Sequence, residues 1–259
     1  MMVPLNEWEG AARLLSEAPG TALLVGAADT GKTTLAGWLA ERCRAAGRRV
    51  AVVDADPGQS DVGPPATLGM GLVEGSIGSL SEVPPRLLYF LGTTSPESAL
   101  LESATGVRRL VTEAVAMGAE VVVVDTTGLV TGPGRRLKAA KVELLAPVTL
   151  LALDRRGELS PLLRQMEGRS DVRVVTLPVS PAARRRSPEE RRANREALYA
   201  AHLAGARRVR VDLGKVPLRG SILGTGVPVP PRTLAEWNKG LDFEAYHAER
   251  IPEGLLAVV

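Results

Sequence analysis

A doubly wound, mostly parallel α/β sheet is the fold class this sequence predicts, and three observations predict it. Short apolar runs alternate with segments of helical period from Thr21 to Leu177. The segment Gly26-Ala27-Ala28-Asp29-Thr30-Gly31-Lys32-Thr33 matches GxxxxGK[ST] and lies between an apolar run and a helical segment. The other polar motifs each follow an apolar run, which puts them beyond strand carboxyl ends, where such sheets bind ligands.

Taken in order, residues 5–17 read as a short helix with Leu5, Trp8, Ala12 and Leu15 on one face, ended by Pro19-Gly20. Thr21–Val25 is a buried strand, and the helix after the glycine loop, with Leu35, Trp38 and Leu39 at helical spacing, runs to about Ala46, with Gly47 as its cap. Val50–Val53 is a second strand that delivers Asp54-Ala55-Asp56-Pro57-Gly58-Gln59. Residues 61–85, rich in Gly and Pro, read as loop. Leu87–Leu91 is a third strand ending in Gly92-Thr93-Thr94-Ser95-Pro96, followed by a helix over 97–117 with a break expected near Gly106. Val121–Val124 is a fourth strand ending in Asp125-Thr126-Thr127-Gly128, and Gly132-Pro133-Gly134 opens a helix to Leu145. Val148–Leu153, a short helix over 159–166 and Val172–Leu177 complete the alternation.

After Pro181 the character changes. Ser187 is an N-cap signal, with Pro188 in the first helical position and Glu189 and Glu190 in the first turn. Residues 207–259 read as short strands and turns. The expected organisation is an N-terminal helical segment (1–20), a phosphate-loop domain (21–205) that includes a helical arginine lid (184–203), and a small β-rich extension (206–259) packed on the sheet.

Composition narrows the function classes. At 259 residues the chain can bury a full core, and with only 3% aromatic residues that core must be Ala, Leu and Val. Five of the 32 basic residues are lysine and the rest arginine, the better fork for phosphate. A single cysteine, Cys43, excludes an internal disulfide and a cysteine zinc site, and two histidines argue against His-dependent hydrolase chemistry. The first ten residues lack a signal-peptide pattern, and no apolar run nears the ~20 residues of a membrane span. A cytoplasmic protein with no membrane contact is expected.

The residue types specify phosphate chemistry. Gly26 and Gly31 leave room for backbone N–H groups to converge on phosphate oxygens, joined by Ala27, Ala28, Asp29 and Thr30 of the loop and Thr34 at the helix start. Lys32 can reach the outer phosphates and the Thr33 hydroxyl can ligate Mg²⁺. Asp54 and Asp56 offer carboxylates for Mg²⁺ and for accepting a proton from an attacking hydroxyl. Gln59 can orient a hydroxyl or a phosphate, and Asp125 is placed for the Mg²⁺ shell. Arg191 and Arg195, four apart, share a helix face from which guanidinium groups can neutralise developing charge. ATP or another nucleoside triphosphate with Mg²⁺ is therefore expected; the loop does not name the acceptor.

These pieces together resemble the polynucleotide 5′-hydroxyl kinase family of RNA-processing factors found with pre-mRNA cleavage, tRNA splicing and rRNA maturation. The phosphate loop, the DxDxGQ of Asp54 to Gln59, the GxTSP-like Gly92 to Pro96, the TxG clasp of Thr126 to Gly128 and the RSxxxRxxxR lid of Arg186 to Arg195 come in that family's order. The resemblance covers roughly residues 20–205. It implies transfer of the γ-phosphoryl group to the 5′-OH end of RNA or DNA, with Lys32 on the nucleotide and Asp54 as general base. Asp56, Gln59, Thr126, Thr127, Gly128 and Arg186 would meet the substrate, Arg191 and Arg195 the transferring phosphoryl group, and Thr33, Asp54 and Asp125 the metal. Leu129 stands where eukaryotic members carry Trp, and Asp125 where they often carry a neutral amide. No obligate protein partner is readable.

Two rivals share some of these features. A nucleotide-dependent switch of the partition or signal-recognition type would also carry acidic strand ends, but Ala27 and Ala28 stand where the partition type has a second lysine. A small-molecule kinase acting on a nucleoside or sugar would differ in its acceptor.

Overall fold

Four consecutive valines, Val121–Val124, form the middle of the sheet, because a strand covered on both faces has no solvent side and needs no alternation. The computed structural model describes residues 6–147, 149–207, 209, 224–252 and 254–258. In chain order the elements are α1 (Asn6–Glu17), β1 (Thr21–Gly26), α2 (Lys32–Ala45), β2 (Val50–Ala55), β3 (Thr67–Leu72), β4 (Leu87–Phe90), α3 (Leu100–Ala116), β5 (Val121–Thr126), α4 (Pro133–Leu145), β6 (Thr149–Leu153), α5 (Ser160–Leu163), β7 (Arg173–Leu177) and α6 (Pro188–Leu203). Beyond these come β8 (Val227–Pro228), α7 (Pro231–Asn238), β9 (His247–Ile251) and β10 (Gly254–Val258). Leu5 and Val148, assigned above to the first helix and the fifth expected strand, lie outside the described residues.

The chain divides into two compact units, Met1–Ala204 and Gly205–Val259. The first holds a seven-stranded sheet in the order β4-β3-β2-β5-β1-β6-β7. The five strands from β2 to β7 are parallel, and β3 and β4 run antiparallel at one edge. Alternate residues of each strand serve two cores. Leu23, Val25, Val122 and Val124 pack with α3 and α4, whereas Ala22, Leu24, Val121 and Val123 pack with α1 and α2. Trp8, Ala12 and Leu15 are buried on α1 as the helical period predicts. β1 sits between β5 and β6, so the loop after β1 is flanked by the carboxyl ends of both neighbours. Among the described residues no helix is long and apolar enough to cross a membrane.

Three expectations need correction. The stretch 61–85 is not all loop: β3 and a 3₁₀ turn, Leu80–Glu82, lie in it. Gly69 and Gly71 hide the strand from a propensity reading, and both are there for space. A Cβ on Gly69 would stand 1.7 Å from the Val62 carbonyl oxygen, and one on Gly71 would stand 2.6 Å from that of Pro84. Gly69→Ala is therefore expected to destabilise the protein by about 3 kcal/mol or more in urea unfolding, with Gly75→Ala, which meets nothing within 4 Å, as a near-neutral control. Equal effects from the two would refute the steric account.

The second correction concerns α3, which runs unbroken through Gly106. That glycine is a contact site: Tyr89 and Leu68 lie 2.7 and 2.9 Å from where its Cβ would be. The third concerns the C-terminal unit. Besides a three-stranded antiparallel sheet in the order β10-β9-β8, it contains the helix α7 with Pro231 in its first turn. Here the buried Glu249 carboxylate accepts from Gly224 N and Gly226 N and pairs with His247 Nε2 at 2.7 Å.

Candidate active site

β1 ends at Gly26, where a Cβ would stand 2.8 Å from both the Leu153 carbonyl oxygen and Thr30 Oγ1, so the chain can turn here only without a side chain. The loop then passes Asp29 at φ 59° and Gly31 at φ 88° before α2 begins at Lys32. Lys32 Nζ folds back to donate to the Ala27 carbonyl at 2.7 Å. Burial pulls the Lys32 ammonium below its ordinary range, and the carboxylates of Asp125, Asp56 and Asp29 oppose that shift.

The parallel pairing of β2 with β5 sets Asp54 in register with Asp125. Thr33 Oγ1 donates to Asp125 Oδ2 at 2.5 Å, and Asp125 Oδ1 accepts from Thr126 N at 2.8 Å. Burial raises the Asp125 carboxyl, while the nearby Lys32 and the Thr33 hydroxyl lower it.

A cavity of about 460 Å³ opens over the loop, and its lining brings together Lys32, Thr33, Thr34, Asp56, Gln59, Thr126, Gly128, Arg186 and Arg191. Asp54 is not part of that lining. It lies behind the cavity, with its carboxylate accepting from Asp56 N at 3.0 Å, Asp61 N at 2.5 Å, Val62 N at 3.1 Å and Ser60 Oγ at 3.4 Å. Burial, with Asp125 and Asp61 next, pushes its proton affinity well up. Asp54, expected as base and metal ligand, thus shapes the 56–62 loop, with three donors on Oδ2 and one on Oδ1. Asp56 does face the cavity, with Oδ1 accepting from Gly58 N at 3.0 Å and Gln59 N at 3.2 Å. Among the described residues its Oδ2 has no hydrogen-bond partner.

The lid is docked on this cavity. Ser187 caps α6 through a full capping box with Glu190, as its sequence predicts. Arg186 and Arg191 both reach the Asp29 carboxylate. Gln59 Nε2 donates to the Arg191 carbonyl at 3.1 Å and Gln59 Oε1 accepts from Asn194 Nδ2 at 3.2 Å, so this amide braces the lid. Arg195, one turn further along α6, is half-buried and does not line the cavity; of the expected pair Arg191 and Arg195 only Arg191 lines it, beside Arg184 and Arg186.

The clasp packs directly on the phosphate loop: a Cβ on Gly128 would stand 2.4 Å from Ala28 Cα. Thr126 Oγ1 donates to the Leu24 carbonyl at 2.7 Å. Gly92 to Pro96 lies against the acidic loop, with the Thr94 carbonyl oxygen 2.7 Å from a Cβ on Gly58.

Three functional candidates escape a reading of the sequence. Asp61 lines the cavity, and burial beside Asp125 pushes its carboxyl up to about 6. Lys138 is buried on α4 and donates to Thr126 Oγ1 and the Thr127 carbonyl, each at 2.7 Å, which fixes the clasp from below. Lys141, also buried, has no hydrogen-bond partner for Nζ among the described residues. The available signal is scarcity: two of the chain's five lysines stand on one helix among buried Leu137, Val142 and Leu145.

The arrangement can cradle a polyphosphate, offer a carboxylate oxygen to a hydroxyl and cover both with guanidinium groups. Comparison with known proteins agrees with it. The family model for the mRNA cleavage and polyadenylation factor CLP1 P-loop matches residues 26–205. A protein of Pyrococcus furiosus named polyribonucleotide 5′-hydroxyl-kinase is 33% identical over 257 residues, which is 99% of this chain and 71% of that one. Its namesake in Pyrococcus horikoshii is 33% identical over 88% of this chain and 62% of its own, and that of Thermococcus kodakarensis is 38% identical over 82% and 59%. The chain thus spans between 59% and 71% of the length of these curated relatives. Among solved structures, wild-type Clp1p in complex with Pcf11p superimposes with a TM-score of 0.57 at 13% identity, over 80% of this chain and 55% of that chain, a likeness of fold.

Proposed function

Because this chain belongs to the CLP1 P-loop family, we propose that it transfers the γ-phosphoryl group of ATP, or of another nucleoside triphosphate, to the 5′-hydroxyl end of RNA. The observation that carries the reading is the convergence of Lys32, Asp56, Arg186 and Arg191 on one cavity above the phosphate loop. The names of the relatives favour RNA over DNA as the acceptor.

Catalysis here rests on positioning and charge neutralisation. The backbone of Gly26 to Thr33 and the N-terminus of α2 hold the phosphates. Lys32 leaves the Ala27 carbonyl to bind phosphate oxygens, and Asp56 takes the proton of the attacking 5′-hydroxyl. Arg186 and Arg191 neutralise charge on the phosphoryl group in flight. Thr33 and Asp125, a hydroxyl and a carboxylate 2.5 Å apart, are the hard oxygen donors that suit Mg²⁺ and would hold it. Among the described residues no cluster of three His, Cys, Asp or Glu could cage a metal alone, which suits an ion that keeps water and phosphate ligands. When bound, Mg²⁺ draws off negative charge from the phosphate oxygens.

The test is label transfer from γ-labelled ATP to a 5′-hydroxyl oligoribonucleotide. Wild type is expected to transfer, and Lys32→Ala to lose about 10³-fold or more. Transfer to free nucleosides but not to oligonucleotides would make the protein a small-molecule kinase. Slow hydrolysis with nucleotide-dependent dimerisation and no transfer would make it a switch.

A further inference from the structure

Asp29 sits in the middle of a loop built to bind anions, yet its carboxylate serves something else. Its left-handed φ of 59°, uncommon for a residue with a Cβ, turns the side chain toward the lid. There it is 4% exposed and accepts from Arg191 Nη2 at 2.5 Å, Arg186 N at 3.1 Å and Arg186 Nε at 3.4 Å. The backbone of the same residue is held from the opposite flank, where Arg155 Nη2 donates to the Asp29 carbonyl at 2.7 Å. Thus one residue of the phosphate loop ties together the segment after β6 and the start of α6. A free carboxylate at this point would repel the triphosphate. Two arginines neutralise it and are themselves oriented by it.

We propose that Asp29 is a positioning residue, a latch whose carboxylate docks the lid and aims Arg191 over the phosphate loop, rather than a ligand of the nucleotide. One nitrogen of the Arg191 fork is spent on Asp29 and Nε reaches the Arg186 carbonyl at 3.4 Å. Nη1 has no hydrogen-bond partner among the described residues, so a guanidinium gripped on one side keeps a donor for a phosphoryl oxygen. The backbone bond from Arg186 N fixes where the lid leaves the loop, just before the Ser187 cap. The inference rests on the kinase reading for its catalytic consequence alone; the latch is a property of the free protein.

The experiment compares wild type, Asp29→Asn, Arg191→Gln and the double variant. Asparagine tolerates a left-handed φ and keeps one oxygen for Arg186 N and Arg191 Nη2, so it removes the charge and the acceptor of Arg186 Nε. Hydrogen exchange is measured on the nucleotide-free protein. Amides of residues 186–195 are expected to exchange about 10-fold faster in Asp29→Asn, with the exchange of β1 and β5 unchanged. In label transfer, each single variant is expected to lose about 10-fold in kcat with the KM for ATP within about 3-fold, and the double variant to lose no more than the worse single. Unchanged lid exchange, or losses that multiply to about 100-fold in the double variant, would overturn the latch. So would a 10-fold loss of ATP affinity with the lid still protected, which is the behaviour of a nucleotide ligand. If wild type transfers nothing, the kinase reading fails, and hydrogen exchange still decides the latch.

Discussion

Asp56→Asn is expected to cut label transfer about 10³-fold, within the range a positioned general base contributes, while leaving the melting temperature near wild type. Asparagine preserves the acceptor that Gly58 N and Gln59 N use on Oδ1, so the turn survives. What it loses is the proton-accepting Oδ2, which has no hydrogen-bond partner among the described residues, on a side chain that lines the cavity. Asp54→Asn is expected to behave in the opposite sense. Asp61 N and Val62 N converge on Asp54 Oδ2 and Asp56 N on Oδ1, so whichever way the amide turns its nitrogen faces at least one buried donor. Each buried donor stranded in this way costs about 1–3 kcal/mol, so the melting temperature falls first and activity follows the loosened loop. The assignment collapses if Asp54→Asn melts like wild type and loses as much transfer as Asp56→Asn.

That pair also marks where a reading of the sequence reaches its limit. Gly26 to Thr33 and Ser187 to Glu190 are local signals: the motif and the physics that needs it occupy the same eight or four residues, so both are visible in the chain. The parallel strands are visible because runs such as Val121–Val124 are too apolar for a strand with a wet face. Asp54 and Asp56 have the same side chain two positions apart. Which of them meets the cavity depends on the β2–β5 register and on backbone amides arriving from Asp61 and Val62, neither of which is local. Arg195 shares a helix face with Arg191, but the lid docks through its first turn, on Asp29 and Gln59, so one turn further the arginine has left the cavity. β3 is hidden because Gly69 and Gly71 answer to atoms of Val62 and Pro84 rather than to strand propensity. Lys138 looks like a surface lysine until the ends of β5 and β1 are placed beside it, since its acceptors are Thr126 and Thr127.

Lys141→Met is expected to stabilise the protein by about 3 kcal/mol at pH 7. The ammonium is fully enclosed and has no hydrogen-bond partner among the described residues, and burial pushes its pKa from the ordinary 10.5 down to about 8 despite the pull of Asp56, Asp125 and Asp54. Keeping it charged at neutral pH therefore opposes folding by about 3 kcal/mol. The sign follows from proton counts. Between pH 8 and 10.5 the unfolded chain holds the Lys141 proton more tightly than the folded one, so this residue makes stability climb as pH rises through that window. Below about pH 8 the penalty is present in full. Methionine has a similar length, needs no partner and removes the penalty, so the variant should be more stable in urea at pH 7 and lack the climb toward pH 10. A variant less stable than wild type at pH 7 would mean that the three carboxylates compensate the charge better than its burial penalises it. The gain carries a functional cost, because the same positive charge favours ionised Asp125. With it gone the Asp125 carboxyl holds its proton to higher pH, and the acid limb of the transfer rate should move to higher pH.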